Sequence, residues 1–349
     1  MPEPVYKGGR MRYVLSLLML SANAAADEWF PVNTVSDGKV VAYQALAHAD
    51  KPWRICALLP HAKDKYWWGV SWGLDTEAER LGVRIGIYQA GGYDHLDVQR
   101  KQFADCLGMK ADAIVLAAIS ADGLNGDIAR AARHGVPVID LVNGVTSPDV
   151  TAKSLVDFAD MSGAAARYLL THAGARPIKM LWFPGPKGAG WVTDAEQGLA
   201  RALQGQPVEL IHAGYAPTAL TSQMALVREL LQKHAPDYIL GNAVSIEVAS
   251  NYLKFYGRTA TKAIAFYATE PVVELIEQGR VVAAPSDAPV LQARIALDLA
   301  VRALEKKPHA KRVGPDIEVL DARNVGKYDF SKIFPPPNQR FVQRALPPE

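Results

Sequence analysis

From residue 55 onward, short apolar runs rich in Val, Ile and Leu alternate with stretches whose apolar positions recur every three or four residues, and few folds accept that pattern. Residues 55–60 (ICALLP) lead into a helix carrying Trp67, Val70, Leu74, Ala78 and Leu81, and residues 83–88 into one carrying Val98, Phe103 and Leu107. Residues 112–118 and 136–142 complete a first group of four strands, with a helix at 124–134 between them. After a break at 143–157, a second group follows at 178–183, 208–212, 237–241, 263–268 and 281–285. Helices built on Leu199 and Leu203, on Met224, Val227 and Leu231, and on Val273 and Ile276 separate these strands. Strands that are apolar on both faces need helices on both sides, so each group folds as a parallel sheet with right-handed crossovers. The expected architecture is α/β, with two doubly wound parallel-sheet lobes joined by hinge crossovers.

Open parallel sheets bind ligands beyond the carboxyl ends of their strands, which makes the residues just after each strand the informative ones. In the first group these are Asp64, Tyr66 and Trp67, then Gly91, Gly92 and Tyr93, then Asn143. In the second they are residues 185–191, Tyr215, Asn242 and Tyr267, with Asp287 after the last strand. The set is rich in rings and poor in cations. Such a cavity suits a small, methyl-rich, cationic or dipolar ligand and does not suit a phosphate.

Charge argues the same way. The formal net charge is +2, and residues 1–26 hold Lys7, Arg10 and Arg12 against Glu3, so the remainder is neutral. A nucleic-acid binder carries a basic excess on its working domain, so no nucleic-acid partner is expected. The same 26 residues read as a secretory signal: Arg10 and Arg12 precede an apolar run at 13–20, and small residues at 21–26 place cleavage after Ala26. The run is about half of the ~20 residues needed to span a bilayer. Export without membrane insertion of the mature chain is the expectation, to the periplasm where an outer membrane exists.

Cys56 falls in the first strand and Cys106 at the end of the second helix. In an oxidising compartment they can bridge inside one lobe or remain as two buried thiols, and export favours the bridge. Gly69-Val-Ser71-Trp-Gly73 matches a nucleophile elbow by letter, but the serine lies well past the strand and inside a helix. Gly185-Pro-Lys-Gly188-Ala-Gly190 lacks both the P-loop ending and the dinucleotide glycine spacing, and reads as a connection facing the cleft. The eight histidines are scattered, and Asp157 and Asp160 read as a turn and helix start. No enzyme, cofactor or metal is expected.

The segments ICALLP at 55–60, Lys63-Asp-Lys-Tyr-Trp67, Ala90-Gly-Gly-Tyr93, Cys106, Pro184-Gly-Pro186 followed by Gly188 to Gly190, Phe266-Tyr267 and Ser286-Asp287 occur in this order. Over about residues 53–321 the chain thereby resembles the TorT family. These are periplasmic binding proteins of the type I, sugar-binding-like fold that sense trimethylamine N-oxide. The resemblance implies a ligand pocket at Tyr66, Trp67, Tyr93 and Tyr267, with Asp64 at its rim. It also implies docking on the periplasmic sensor domain of a TorS-like membrane histidine kinase that controls anaerobic N-oxide respiration. Phe158 stands where the family tends to place a tryptophan, giving a smaller ring and a weaker cation partner. Asn242 is a candidate donor to the oxide, and Asp287 is the final carboxylate that sugar-binding relatives share. The expected division is a signal peptide at 1–26, an extension at 27–52, an N-terminal lobe of 53–155 with 286–315, and a C-terminal lobe of 156–285 with 316–349. The alternatives are a substrate-binding protein of a sugar or amine importer and an exported hydrolase using Ser71.

Overall fold

The computed structural model describes residues 1–2 and 29–348, so the signal-peptide expectation lies almost wholly outside the described residues. The chain enters through a hairpin of β1 (Val32–Ser36) and β2 (Lys39–Tyr43). Its turn is Asp37-Gly38, both at positive φ, the geometry that favours this dipeptide in two-residue hairpins. Then β3 (Arg54–Leu59), α1 (Lys65–Leu81), β4 (Arg84–Gln89), α2 (Leu96–Gly108) and β5 (Ala113–Leu116) alternate, followed by α3 (Asn125–Arg133), β6 (Val138–Leu141) and β7 (Ala152–Ser154).

The second run comprises α4 (Phe158–Ala173), β8 (Ile178–Phe183), α5 (Gly190–Leu203), β9 (Val208–His212) and α6 (Leu220–Lys233). It continues through β10 (Tyr238–Gly241), α7 (Ala243–Phe255), β11 (Lys262–Ala265), α8 (Glu270–Glu277) and β12 (Ala283–Ser286). The chain closes with α9 (Pro289–Leu304), β13 (Arg312–Pro315) and β14 (Glu318–Asp321).

Two sheets result, ordered β2-β1-β13-β7-β6-β5-β3-β4 and β14-β12-β11-β10-β8-β9. Their inner ladders are parallel, and the antiparallel ladders among the described residues join β1 with β2 and β13 and β12 with β14. β5, β6 and β10 are buried along their whole length, as sheets covered on both faces require. The chain crosses between the sheets after β7, after β12 and after β13. Ala288, at the second crossing, holds a left-handed φ of 48°.

Cys56 of β3 and Cys106 of α2 form a disulfide with their Cα atoms 6.2 Å apart, tying a strand to the helix that covers it. The Gly69–Gly73 motif lies on the face of α1 that meets α9 and the tail rather than a sheet. A Cβ at Gly69 would stand 2.7 Å from the Ile333 carbonyl oxygen, and one at Gly73 2.7 Å from that of Val290. Ser71 Oγ donates to the Trp68 carbonyl and accepts from the Val342 N–H, which is helix packing and not a nucleophile elbow.

The end of the chain departs from the expected division. Residues beyond 333, which the sequence groups with the second lobe, run along the first sheet instead. Arg344 bridges to Ile87, the Leu346 N–H donates to the Tyr88 hydroxyl, and Arg54 donates to the Pro347 carbonyl. Gly86 makes the room: a Cβ there would sit 2.8 Å from Leu346 N.

Candidate functional site

Asp64 sets the geometry of the cleft. Its extended backbone and its carboxylate, which accepts the Trp67 N–H, cap α1, and an N-cap of this kind fixes where a helix begins. Tyr66 and Trp67 are thereby held in the first turn, at the carboxyl end of β3. With Asp64 and Tyr93 they form one wall of a cavity whose empty space, its open mouth included, is about 330 Å³. Phe158 at the start of α4, Trp191 in the first turn of α5, Thr218 and Tyr267 form the other. Val142 and Asn143, just after β6, complete the lining. Val142 has φ of 64°, a costly backbone for a β-branched residue and one found mostly where function over-determines the geometry.

Six rings meet across the cleft. Tyr66 lies 5.4 Å from Trp67 and 5.7 Å from Tyr267, ring centre to ring centre. Trp191 lies 6.3 Å from Tyr93, 5.8 Å from Phe158 and 6.0 Å from Tyr267, and Phe158 and Tyr267 are 6.4 Å apart. Most of these pairs are edge-to-face, which turns ring faces as well as edges toward the enclosed space. All but Tyr93 are buried. Behind them His61 packs 5.6 Å from Tyr93 and 6.0 Å from Trp67, and burial lowers its pKa, so it favours the neutral form.

The polar groups divide between the cavity and its supports. The Tyr93 hydroxyl accepts from Asn143 Nδ2 at 3.0 Å and from Trp191 Nε1 at 3.2 Å. With both lone pairs engaged, its proton is left for another acceptor, the Asn143 Oδ1 at 3.3 Å or a ligand. The Trp67 indole N–H makes no hydrogen bond among the described residues, which leaves a donor at the wall. Tyr66 is different: its hydroxyl donates to Asp287 Oδ2, so it contributes its ring to the cavity and not its proton.

Two sequence candidates therefore take supporting places. Asp287 is fully buried behind Tyr66, where Gln292 also donates to it, and burial pushes its pKa up to about 6. Asn242 does not line the cavity. Its Oδ1 caps α7 by accepting the Ser245 N–H and its Nδ2 donates to the Phe183 carbonyl, so its amide is spent on the fold. Asp64, Tyr66, Trp67, Tyr93, Phe158 and Tyr267 all line the cavity. Trp191 and Asn143 stood among the strand-end positions without being singled out, and Val142 and Thr218 carry no sequence signal for this role.

The lobes approach each other closely around this space. Lys65 of α1 pairs with Glu270 of α8 at 2.6 Å, and the Ala121 N–H points at the Gly188 carbonyl oxygen at 3.4 Å. A Cβ on Gly190 would stand 2.7 Å from the carbonyl oxygens of Asn143 and Gly144. Among the described residues no group of three or more His, Cys, Asp and Glu could hold a metal ion, and no helix is long and apolar enough to cross a membrane.

Known proteins share this architecture. The periplasmic binding protein domain family matches residues 55–308. The periplasmic protein TorT of Escherichia coli (strain K12) is 31% identical over 326 residues, 93% of each chain. An ABC transporter solute binding protein from Bradyrhizobium sp. BTAi1, solved with bound bis-tris, superposes with a TM-score of 0.78 at 41% identity, covering 90% of this chain and 99% of that one. A chain of the TorS sensor domain–TorT complex, solved in the presence of TMAO, superposes with a TM-score of 0.76 at 25% identity, over 83% of this chain and 99% of that one. With its two sheets, its ring-lined interlobe cleft and a relative of this identity over nearly its whole length, the chain belongs to the TorT family of periplasmic binding proteins.

Proposed function

We propose that this chain is a non-enzymatic periplasmic sensor whose lobes close around trimethylamine N-oxide or a related amine oxide, and whose occupancy regulates a TorS-like histidine kinase. The observation that carries this reading is the closed set of six rings drawn from both lobes. Such a ligand presents methyl groups around a cationic nitrogen, and ring faces attract that end by roughly 0.5 to 2 kcal/mol each, more as water is excluded. Its oxide accepts hydrogen bonds strongly, and an unpaired acceptor in a closed cleft would cost about 1 to 3 kcal/mol. The Trp67 N–H and the Tyr93 hydroxyl are the donors placed to meet it. The solved complex of TorT with the TorS sensor domain in the presence of TMAO supports carrying both ligand class and partner to this relative. Export through cleavage after Ala26 belongs to the same reading.

Calorimetric titration of the mature chain with trimethylamine N-oxide, alone and with the sensor domain of its TorS-like kinase, tests the proposal. Saturable binding in either format is expected. Binding of ribose or galactose in place of the amine oxide in both formats overturns it. A second reading, delivery of a hydroxylated amine or sugar to an importer, is favoured by the Bradyrhizobium relative, a transporter solute binding protein that holds bis-tris. That reading requires groups pairing sugar-like hydroxyls, and the cavity offers mainly rings.

A further inference from the structure

Outside the cleft, exposed apolar surface gathers on one face of the second lobe. Leu220 and Met224, four residues apart on α6, are 51% and 53% exposed, whereas Val227 and Leu231 on the same helix are fully buried. The sequence groups Met224 with Val227 and Leu231 as one buried stripe. The buried stripe is instead Gln223, Val227 and Leu231, a rotation of one position that turns Met224 outward. From the facing end of α7, Phe255 is 81% and the adjoining Tyr256 56% exposed. These side chains, with Tyr252, border an open groove of about 1190 Å³ between the two helices. Scattered exposed apolar residues are ordinary, but a contiguous group on a groove marks an interaction surface.

The groove itself is balanced, with Arg228 and Glu247 both on its wall. The basic charge lies beside it: past the end of α7 the side chains of Lys254, Arg258, Lys262 and Arg280 border a second hollow whose lining has no carboxylate. In that hollow Ser250 Oγ is buried without a partner. Arg258 and Lys262 donate to backbone carbonyls, and Arg280 to the amide oxygens of Asn251 and Gln278. Neutral acceptors hold these three cations, and their charge stays available to an incoming carboxylate.

We infer that the α6–α7 face docks a partner protein presenting an apolar segment flanked by carboxylates; resting on the function proposed above, that partner is the kinase sensor domain. Two copies of this chain related by a two-fold axis would set the same cations against one another, which opposes self-association here. Leu220 and Met224 line a concavity, which receives a protein element and does not insert into a lipid surface. The face is also mechanically tied to the cleft. α7 begins two residues after Gly241, whose carbonyl accepts the N–H of Phe266, the neighbour of Tyr267 in the cavity wall, and the helix runs 13 residues, about 20 Å, to Phe255. One rigid element thus has its ends at the two sites, so ligand and partner can bias each other's binding.

The test mixes the mature chain with the purified sensor domain of the TorS-like kinase from the same organism and measures affinity by calorimetry. Met224→Glu and Phe255→Glu are expected to weaken the complex at least tenfold, as is the pair Lys254→Glu with Arg280→Glu. Titration of the same variants with trimethylamine N-oxide alone is expected to match the unaltered chain, and circular dichroism to show the same fold. Undiminished sensor binding by all these variants overturns the docking face and leaves the function standing. No sensor binding by the unaltered chain, with or without the amine oxide, overturns both. A dimer of the chain, or attachment to anionic phosphatidylglycerol vesicles, that Phe255→Glu abolishes would assign the face to a second copy or to lipid and overturn the proposal.

Discussion

Asp287 governs the cleft without facing it. Its carboxylate receives the Tyr66 and Gln292 donors through Oδ2, Oδ1 has no partner, and burial raises its pKa from the usual 3.8 to about 6. A folded-state value above the unfolded one means that the native protein binds this proton more readily. Its ionisation penalty is therefore fully present above about pH 6 and is gone below about pH 4, so this group makes stability fall as pH rises through that window. Asp287→Asn keeps an acceptor for Tyr66 and removes the titration. Relative to the unaltered chain, the variant is expected to gain on the order of 3 kcal/mol between pH 4 and pH 7, read from denaturant unfolding at each pH; parallel profiles would contradict this assignment. Trp67 belongs to the wall itself. Trp67→Ala removes a ring face and an unpaired donor together, and is expected to lower amine-oxide affinity at least tenfold, about 1.4 kcal/mol, with the circular dichroism spectrum retained. Affinity equal to that of the unaltered chain would place the pocket elsewhere.

Among the elements, α1 and α5 both turn their first turns toward the cleft, and the approach of α5 to the loop after β6 depends on a missing side chain. Gly190 opens α5 against the carbonyls of Asn143 and Gly144, 2.7 Å from where a Cβ would stand. Gly190→Ala obstructs that approach while leaving each lobe's own packing alone. Small-angle scattering of the variant with amine oxide is expected to give a larger radius of gyration than the unaltered chain, with weaker binding and little change in Tm. Equal dimensions and equal affinity would show that closure does not pass through this contact. The elements legible in the sequence were those with a sustained period: β3 to β6, β8 to β12 and the helices with apolar stripes. β7 reads AKS, β13 RVGP and β14 EVLD, none of them the unbroken apolar run that marks β5 (AIVL), and their pairing depends on partners far away in the chain. The β1–β2 hairpin carries its Asp37-Gly38 signal in a segment with two exposed valines, Val40 and Val41, and it gains its place from distant partners, β13 beside β1 and Asp298 of α9, which accepts from the Tyr43 hydroxyl.

At the scale of the molecule, the strand-end rule alone points to most of the cavity lining. Each of Asp64, Tyr66, Trp67, Tyr93 and Tyr267 lies in the connection or first helical turn after a strand, and sheet topology directs such residues to the cleft. Phe158 came instead from the family pattern. Trp191 was obscured because its loop has the glycines of a connection, and nothing local shows that a ring at the start of α5 turns inward. It sits against Phe158, 5.8 Å away, and supplies an indole beside the position where the resemblance implies one. Asn242 misled for the opposite reason: an asparagine after a strand is also an N-cap, and here the cap prevails. Ring faces from two lobes, enclosing a methylated cation with a strongly accepting oxygen, carry the proposed function. Its most direct test is a crystal structure of the mature chain grown with saturating trimethylamine N-oxide. The expected result is the ligand within the six rings, its nitrogen within about 6 Å of several ring centres and its oxygen on the Trp67 N–H or the Tyr93 hydroxyl. An empty cavity under those conditions, or the amine oxide bound outside it, would contradict the account.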